Sequence, residues 1–61
     1  MNETFVKIKG QKFAYLAEDV EKKDGWIYFT RVNTKTGEKS KMEYPLDLVE
    51  GIETRPVASP L

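Results

Sequence analysis

The sequence predicts an all-β domain, a small SH3-like five-stranded half-open barrel with a 3-10 turn before the last short strand. Residues 25–44 alternate apolar and polar side chains on either side of a short loop, which is typical of a β-hairpin. Gly10 and Gly25 each lie between strand-forming runs, where a glycine supplies the positive φ of a hairpin turn. Pro45 cannot continue a central strand and marks the end of the second hairpin.

The first two strands flank Gly10-Gln11, which predicts a two-residue turn because Gly suits the first position of such a turn. The register set by this turn gathers the apolar side chains of both strands on one face. It pairs Lys9 with Lys12, Ile8 with Phe13, and Val6 with Tyr15.

The segment 17–21 mixes apolar and charged side chains on both faces, which predicts a bulge or a sharp bend. Residues 22–25 follow as a turn, with Gly25 in the left-handed conformation. A helix over 14–23 is the competing interpretation. The Asp24-Gly25 pair favours the hairpin, because this dipeptide is a strong hairpin signal.

The second hairpin has a four-residue loop at 34–37, and pairing Asn33 with Glu38 sets its register. Successive side chains of a strand point to opposite sides, so this register defines an inner and an outer face. The inner face carries Ile27, Phe29, Met42 and Tyr44, and the outer face carries Trp26, Tyr28, Thr30, Val32, Lys39, Lys41 and Glu43.

Pro45 ends the fourth strand and suits the first position of a single 3-10 turn, which we expect directly after it. A short final strand over 51–54 should turn Ile52 inward. Residues 1–54 then form one domain. The remaining residues, 55–61, contain two prolines in seven residues, which predicts a disordered tail.

The predicted core is small, as a chain of 61 residues requires. A fully buried apolar side chain contributes roughly 1.5–3 kcal/mol, so about a dozen are just enough for a domain of this size. The core residues are expected to be Val6, Ile8, Phe13, Leu16, Val20, Ile27, Phe29, Met42, Leu46, Val49 and Ile52.

The chain contains neither Cys nor His. It therefore has no disulfide, and a reducing, cytoplasmic location fits. Zinc sites built from Cys and His are excluded, as are mechanisms that need a His base. We expect no metal and no cofactor. The first residues lack the basic and apolar regions of a signal peptide, and no apolar run is long enough to span a bilayer.

The formal net charge is zero, but the charges are unevenly spread. Lys and Arg are in excess over 1–17 and 31–41, whereas Asp and Glu are in excess over 18–24 and 42–61. Both hairpins are therefore basic and their connections acidic. Overall neutrality argues against a general nucleic-acid coat, because non-specific affinity comes mostly from neutralising phosphates. A local basic face is compatible with it.

The acidic residues of 18–24 are the only candidates for acid–base chemistry that cluster in the sequence. Such chemistry needs two carboxylates facing one pocket, with environments that push their pKa values apart. A bend and a turn among lysines offer no such pocket in so small a barrel. The spacing also lacks the alternating oxygen ligands of a calcium loop. We therefore expect no catalytic residues and a protein that is not an enzyme.

The outer face of the second hairpin is the candidate partner-binding surface, because Trp and Tyr often anchor interfaces. In a competing interpretation, Trp26 covers an open edge of the barrel or packs against the tail, and the lysines only guard a sheet edge. The candidate residues are Trp26, Tyr28, Thr30, Arg31, Val32, Lys39 and Lys41.

The leading hypothesis is a protein–protein interaction module, an adaptor or an inhibitor, whose partner is a protein. The second is nucleic-acid binding, in which bases stack on the two aromatic side chains and basic residues contact phosphates. A homodimer through the same face or through an open barrel edge is a special case of the first. Neither a membrane nor a small-molecule substrate is expected. The phosphate-contacting residues would be Arg31, Lys35, Lys39 and Lys41.

Residues 5–44 resemble the small archaeal seven-kilodalton chromatin proteins, through Val6–Gly10, Phe29-Thr30 and Asn33–Gly37. The resemblance implies an SH3-like barrel that binds the DNA minor groove with the outer face of a three-stranded sheet and inserts apolar wedges. It places Trp26 at one of these wedges.

The resemblance also places Tyr28 and Thr30 on the matching sheet face. The Trp that this family carries on the preceding strand would fall near Glu21, and the family's second wedge would fall near Lys23, so neither of these features is matched. The family's C-terminal helix and strongly basic charge are missing as well. The resemblance therefore supports the fold more than it supports DNA binding.

Overall fold

The computed structural model describes residues 2–56, which form one sheet of five antiparallel strands that does not close into a full barrel. The elements are β1 (Asn2–Ile8), β2 (Tyr15–Lys23), β3 (Trp26–Val32), β4 (Lys39–Pro45), a 3-10 turn (Leu46–Leu48) and β5 (Val49–Pro56). Their order across the sheet is β4-β3-β2-β1-β5, so the first and last strands pair. The predicted all-β class and the 3-10 turn before the last strand are confirmed.

The first hairpin keeps the predicted pairing of Val6 with Tyr15, but the predicted turn is wrong. β1 ends at Ile8, and a β-turn closes there because the Gln11 N–H donates to the Ile8 carbonyl at 3.2 Å. Gly10, at φ +85°, takes the third position of this turn, which requires positive φ in a type II turn. The Lys9 N–H donates to the Leu48 carbonyl at 2.8 Å, so Lys9 is not available to extend the hairpin.

β2 contains the predicted bulge, and the competing helix over 14–23 is wrong. Glu18 pairs with Thr30 and Glu21 pairs with Tyr28, so two residues of β2 lie opposite one residue of β3. Asp19 adopts φ +52° at this point, a conformation that Asp tolerates better than most residues. The bulge bends β2, which pairs with β1 before it and only with β3 after it.

The second hairpin has the predicted register along its whole length, from Ile27 opposite Tyr44 to Val32 opposite Lys39. The Asn33 N–H donates to the Glu38 carbonyl at 2.8 Å, as the pairing of these residues predicts. Inside the loop, the Asn33 side-chain oxygen accepts the N–H groups of the second and third loop residues, at 2.9 and 3.3 Å. These local bonds fix the loop conformation.

The C-terminal part of the chain is more regular than predicted. β4 continues through Pro45, which an edge strand allows because Pro has no N–H and a position on the open side of the strand needs no donor. β5 extends from Val49 to Pro56 and pairs with β1 up to Asn2, so the predicted short strand and a tail beginning at 55 are both wrong. The rest of the predicted tail, 57–61, lies outside the described residues.

The core lies on the inner face of the sheet, with half-buried side chains around five buried ones. Four predicted members, Val6, Ile8, Ile27 and Phe29, are buried. Of the other predicted members, Val20, Met42, Leu46 and Val49 pack against them, while Leu16 is half-buried outside this cluster. Tyr15 and Tyr44 also pack there, and Ala17 is a buried residue that the predicted core omitted.

Two predicted core residues are exposed. Phe13 is 81 % exposed because the turn closes at Gln11, so residues 9–14 form a loop instead of two paired strand ends. Ile52 is 36 % exposed because β5 is an edge strand, which has a neighbour on one side only.

Among residues 2–56, no helix combines the length and the apolar character needed to cross a membrane.

Tyr15 and Tyr44 join β2 to β4 across the inner face. Their hydroxyl oxygens lie 3.3 Å apart, and both rings pack against Phe29 with centroids 5.9 and 6.2 Å away. The hydrogen bond from the Tyr44 hydroxyl lowers the pKa of Tyr15, because it stabilises the phenolate. The same hydrogen bond raises the pKa of Tyr44, since Tyr44 loses it on ionising.

Replacing Tyr44 with Phe should raise the pKa of Tyr15, because the donor to its phenolate is removed. The two tyrosine pKa values can be followed in an alkaline titration by NMR of the ring carbons. In the wild type, Tyr44 contributes stability below its unfolded pKa, near 10, that is lost as the pH rises through its higher folded pKa. A Tyr15 pKa that stays constant or falls in the Phe variant would contradict the hydrogen bond.

Candidate interaction surface

The outer face of β3 presents the predicted aromatic pair to solvent. Along β3, the exposed Trp26 and Tyr28 alternate with the buried Ile27 and Phe29. Trp26 is 41 % exposed and Tyr28 is 37 % exposed. Because β3 pairs with β2 on one side and with β4 on the other, these side chains stand on a backbone held along both edges.

Charged side chains flank the aromatic pair in cross-strand positions. Tyr28 lies between Glu21 of β2 and Glu43 of β4. Trp26 lies between Lys23 and Pro45. Directly opposite residues on one face of a sheet are close neighbours, so two carboxylates border the Tyr28 ring. The surface next to the aromatic pair is therefore of mixed charge.

An ion pair crosses the outer face of β3. The Lys39 ammonium lies 2.9 Å from a carboxylate oxygen of Glu18, although β4 and β2 lie on opposite sides of β3. The hydrogen bond and the charge of Glu18 raise the pKa of Lys39. Because Lys39 pairs with Val32 and Glu18 pairs with Thr30, this ion pair separates the Trp26 end of the face from the Val32 end.

The structure separates Arg31 from the other candidate residues. Arg31 pairs with the buried Ala17 and with Ser40, so it belongs to the inner side of the sheet. Its guanidinium carbon lies 5.6 Å from the centroid of the Tyr15 ring, a cation–π contact. Including Arg31 in the outer surface was wrong. The remaining six candidates share the outer face and form what we call the outer-face patch: Trp26, Tyr28, Thr30, Val32, Lys39 and Lys41.

Sequence reasoning missed a second apolar surface. Phe5 pairs with Leu16 on the outer face of β1 and β2, and both are half-buried. Together with Val32 and the exposed Phe13 they line a single groove, which we call the Phe13 groove. The alternation of Phe5 with the inward Val6 carried a signal for this surface, but assigning Phe13 to the core concealed it.

The acidic residues of 18–24 have structural positions. Glu18 forms the ion pair, Asp19 takes the positive φ of the bulge, and Asp24 takes φ +52° in the turn that joins β2 to β3. Within the part of the chain that the structure describes, no three Asp, Glu, His or Cys residues are grouped so that they could hold a metal ion.

No family model, no curated protein and no solved structure matches this chain. The class of the protein is therefore defined by its own geometry. It is a small all-β domain of five antiparallel strands in an open sheet, with an exposed aromatic pair on its outer face.

Proposed function

We propose that the chain is a small non-enzymatic protein-interaction module, an adaptor or an inhibitor, that contacts its partner through the outer-face patch. The supporting observation is the exposure of Trp26 and Tyr28 side by side on a strand that is paired along both edges. Aromatic anchors on a rigid platform lose little conformational entropy on binding and often dominate interface energy. The lack of Cys fits a reducing compartment, and we place the protein in the cytoplasm.

The charges around the patch favour a protein over a nucleic acid as the partner. Glu21 and Glu43 border Tyr28, and a phosphate backbone brought to this ring would meet both carboxylates. Lys39 is already paired with Glu18, and Arg31 lies on the inner side. Lys41, opposite Thr30, and Lys23, opposite Trp26, are the cations of this face that remain for a phosphate. The mixed charge instead suits the polar rim of a protein interface.

Nucleic-acid binding is the second candidate, because exposed aromatic rings can stack on bases. It predicts that oligonucleotides quench the fluorescence of Trp26, the single Trp, with an affinity that falls steeply as salt is raised. We expect no quenching at low salt. Salt-sensitive quenching would favour the nucleic-acid candidate and contradict the protein-interaction proposal.

Replacing Trp26 and Tyr28 together with Thr should abolish partner binding and leave the fold intact. Thr retains a high strand propensity, whereas the aromatic surface is lost. Losing an anchor of this kind typically costs 2 kcal/mol or more of binding energy, about thirtyfold in affinity. The measurement is quantitative affinity capture from cells that produce the protein, with circular dichroism and a melting curve on each variant.

The matched control replaces Leu48 and Ile52 with Thr, because these side chains are as exposed as the aromatic pair but lie outside the patch. We expect the control variant to capture the same proteins as the wild type. The Trp26/Tyr28 variant should capture none of them. Equal capture by both variants would count against the patch. Unfolding of the Trp26/Tyr28 variant would show that the aromatic pair is structural.

A further inference from the structure

The Phe13 groove is a second surface, at the end of the sheet where the loop after β1 meets the loop after β3, and residues of both faces line it. Phe13 lies in the loop between β1 and β2 and is 81 % exposed, the largest exposed fraction among the large apolar side chains of residues 2–56. Phe5 and Leu16 pair across β1 and β2 beside it. Val32 completes the apolar lining on β3. An exposed aromatic above a half-buried apolar floor is a feature of surfaces that receive an apolar side chain.

The charged side chains that line this groove are all cations, and at its β5 edge Glu53, which lies opposite Phe5, is paired with Arg55. Its charged lining residues are Lys12, Arg31 and Lys35, and no carboxylate lines it. The neighbouring cleft, which shares Leu16 and Val32, has the opposite character: its charged residues are Glu3, Glu18 and Asp19. A patch of positive charge is therefore confined to the groove and ends at an acidic border.

We propose that the Phe13 groove binds a short acidic segment of a partner protein. An apolar side chain of that segment packs against Phe5, Leu16 and Val32 below Phe13, and its flanking carboxylates face the cations of the groove. The Glu18–Lys39 ion pair lies between this groove and Tyr28, so the site is separate from the aromatic pair. The inference goes beyond the proposed function and does not depend on it.

The confinement of the positive charge favours a peptide over a nucleic acid. A peptide places a few carboxylates beside an apolar side chain and can be neutral beyond the groove. A nucleic acid carries a phosphate at every nucleotide and would extend into the acidic cleft.

The test measures binding of labelled peptide libraries to the whole chain by fluorescence anisotropy. In one library Trp, Phe or Leu is flanked by Asp and Glu, and in the matched library the flanking residues are Asn and Gln. We expect the acidic library alone to bind. Replacing Phe13 with Ser should weaken binding about tenfold, as should replacing Lys12 and Lys35 together with Glu. The Trp26/Tyr28 variant should bind as tightly as the wild type.

NMR chemical-shift mapping with the tightest peptide locates the site, and melting curves show that each variant is folded. Shifts confined to residues of the groove support the proposal. It is overturned by equal binding of the amide library, by no binding of either library, or by shifts centred on Trp26. Binding of oligothymidine at the groove would assign it to nucleic acid. A dimer in sedimentation that the Phe13→Ser change dissolves would assign it to a second copy of the chain.

Discussion

Replacing Phe29 with Ala is expected to remove about 3–5 kcal/mol of stability, because it deletes a large buried side chain and leaves a cavity. Phe29 is 3 % exposed and packs against the rings of Tyr15 and Tyr44. Small domains have total stabilities of roughly 5–15 kcal/mol, so this change should leave the chain partly or wholly unfolded. Urea unfolding followed by circular dichroism measures the loss.

The matched control is Phe13→Ala, which removes the same side chain from an exposed position. We expect a change within about 0.5 kcal/mol, as for most surface substitutions. The hydrophobic pattern alone assigns both phenylalanines to the core, whereas the structure buries only Phe29. Comparing the two variants therefore tests the structure against the pattern. A loss of several kcal/mol at Phe13, or a small loss at Phe29, would contradict the inner face described above.

Replacing Gly25 with Val is expected to cost about 1–2 kcal/mol, the cost of placing an L side chain in the left-handed region. Asp24 and Gly25 have φ of +52° and +79°, which are the two positive values of a type I′ turn. The Gly25 carbonyl also accepts the Leu46 N–H at 2.9 Å. The turn therefore joins β2 to β3 and also anchors the start of the 3-10 turn.

Gly51→Val provides the control, because Gly51 lies in β5 without a positive φ and an added Cβ would meet open space. Val also has a higher strand propensity than Gly, so the control should be neutral or stabilising. Melting temperatures of the two variants give the comparison. Equal destabilisation at both positions would argue against the type I′ turn as the source of the cost.

The second hairpin was predictable because all its signals are local. Its inner and outer side chains alternate on both strands, and a loop ending in Gly37 fixes the pairing of Asn33 with Glu38. The first hairpin was not predictable from local signals, since the hydrogen bond from the Lys9 N–H to the Leu48 carbonyl decides where β1 ends. These two residues are far apart in the sequence, and no local pattern contains their contact.

The candidate surface was also predicted only in part, because local alternation defines some of its residues and a loop conformation defines the others. Alternation along β3 correctly placed Trp26 and Tyr28 outward. Arg31 was included for its charge, although its odd position on the strand assigns it to the inner side. The Phe13 groove needs the loop between β1 and β2 to be known, because the exposure of Phe13 follows from that loop and not from its own sequence context.

Photo-cross-linking from position 28 tests the central claim, that the outer-face patch contacts a protein, most directly. A benzophenone side chain replaces Tyr28 in one variant and Leu48, which is similarly exposed outside the patch, in another. In cells that produce the protein, we predict a protein adduct from position 28 that is missing from position 48 and is suppressed by Trp26→Thr. A nucleic-acid adduct, the same adduct from both positions, or no adduct from position 28 would contradict the claim.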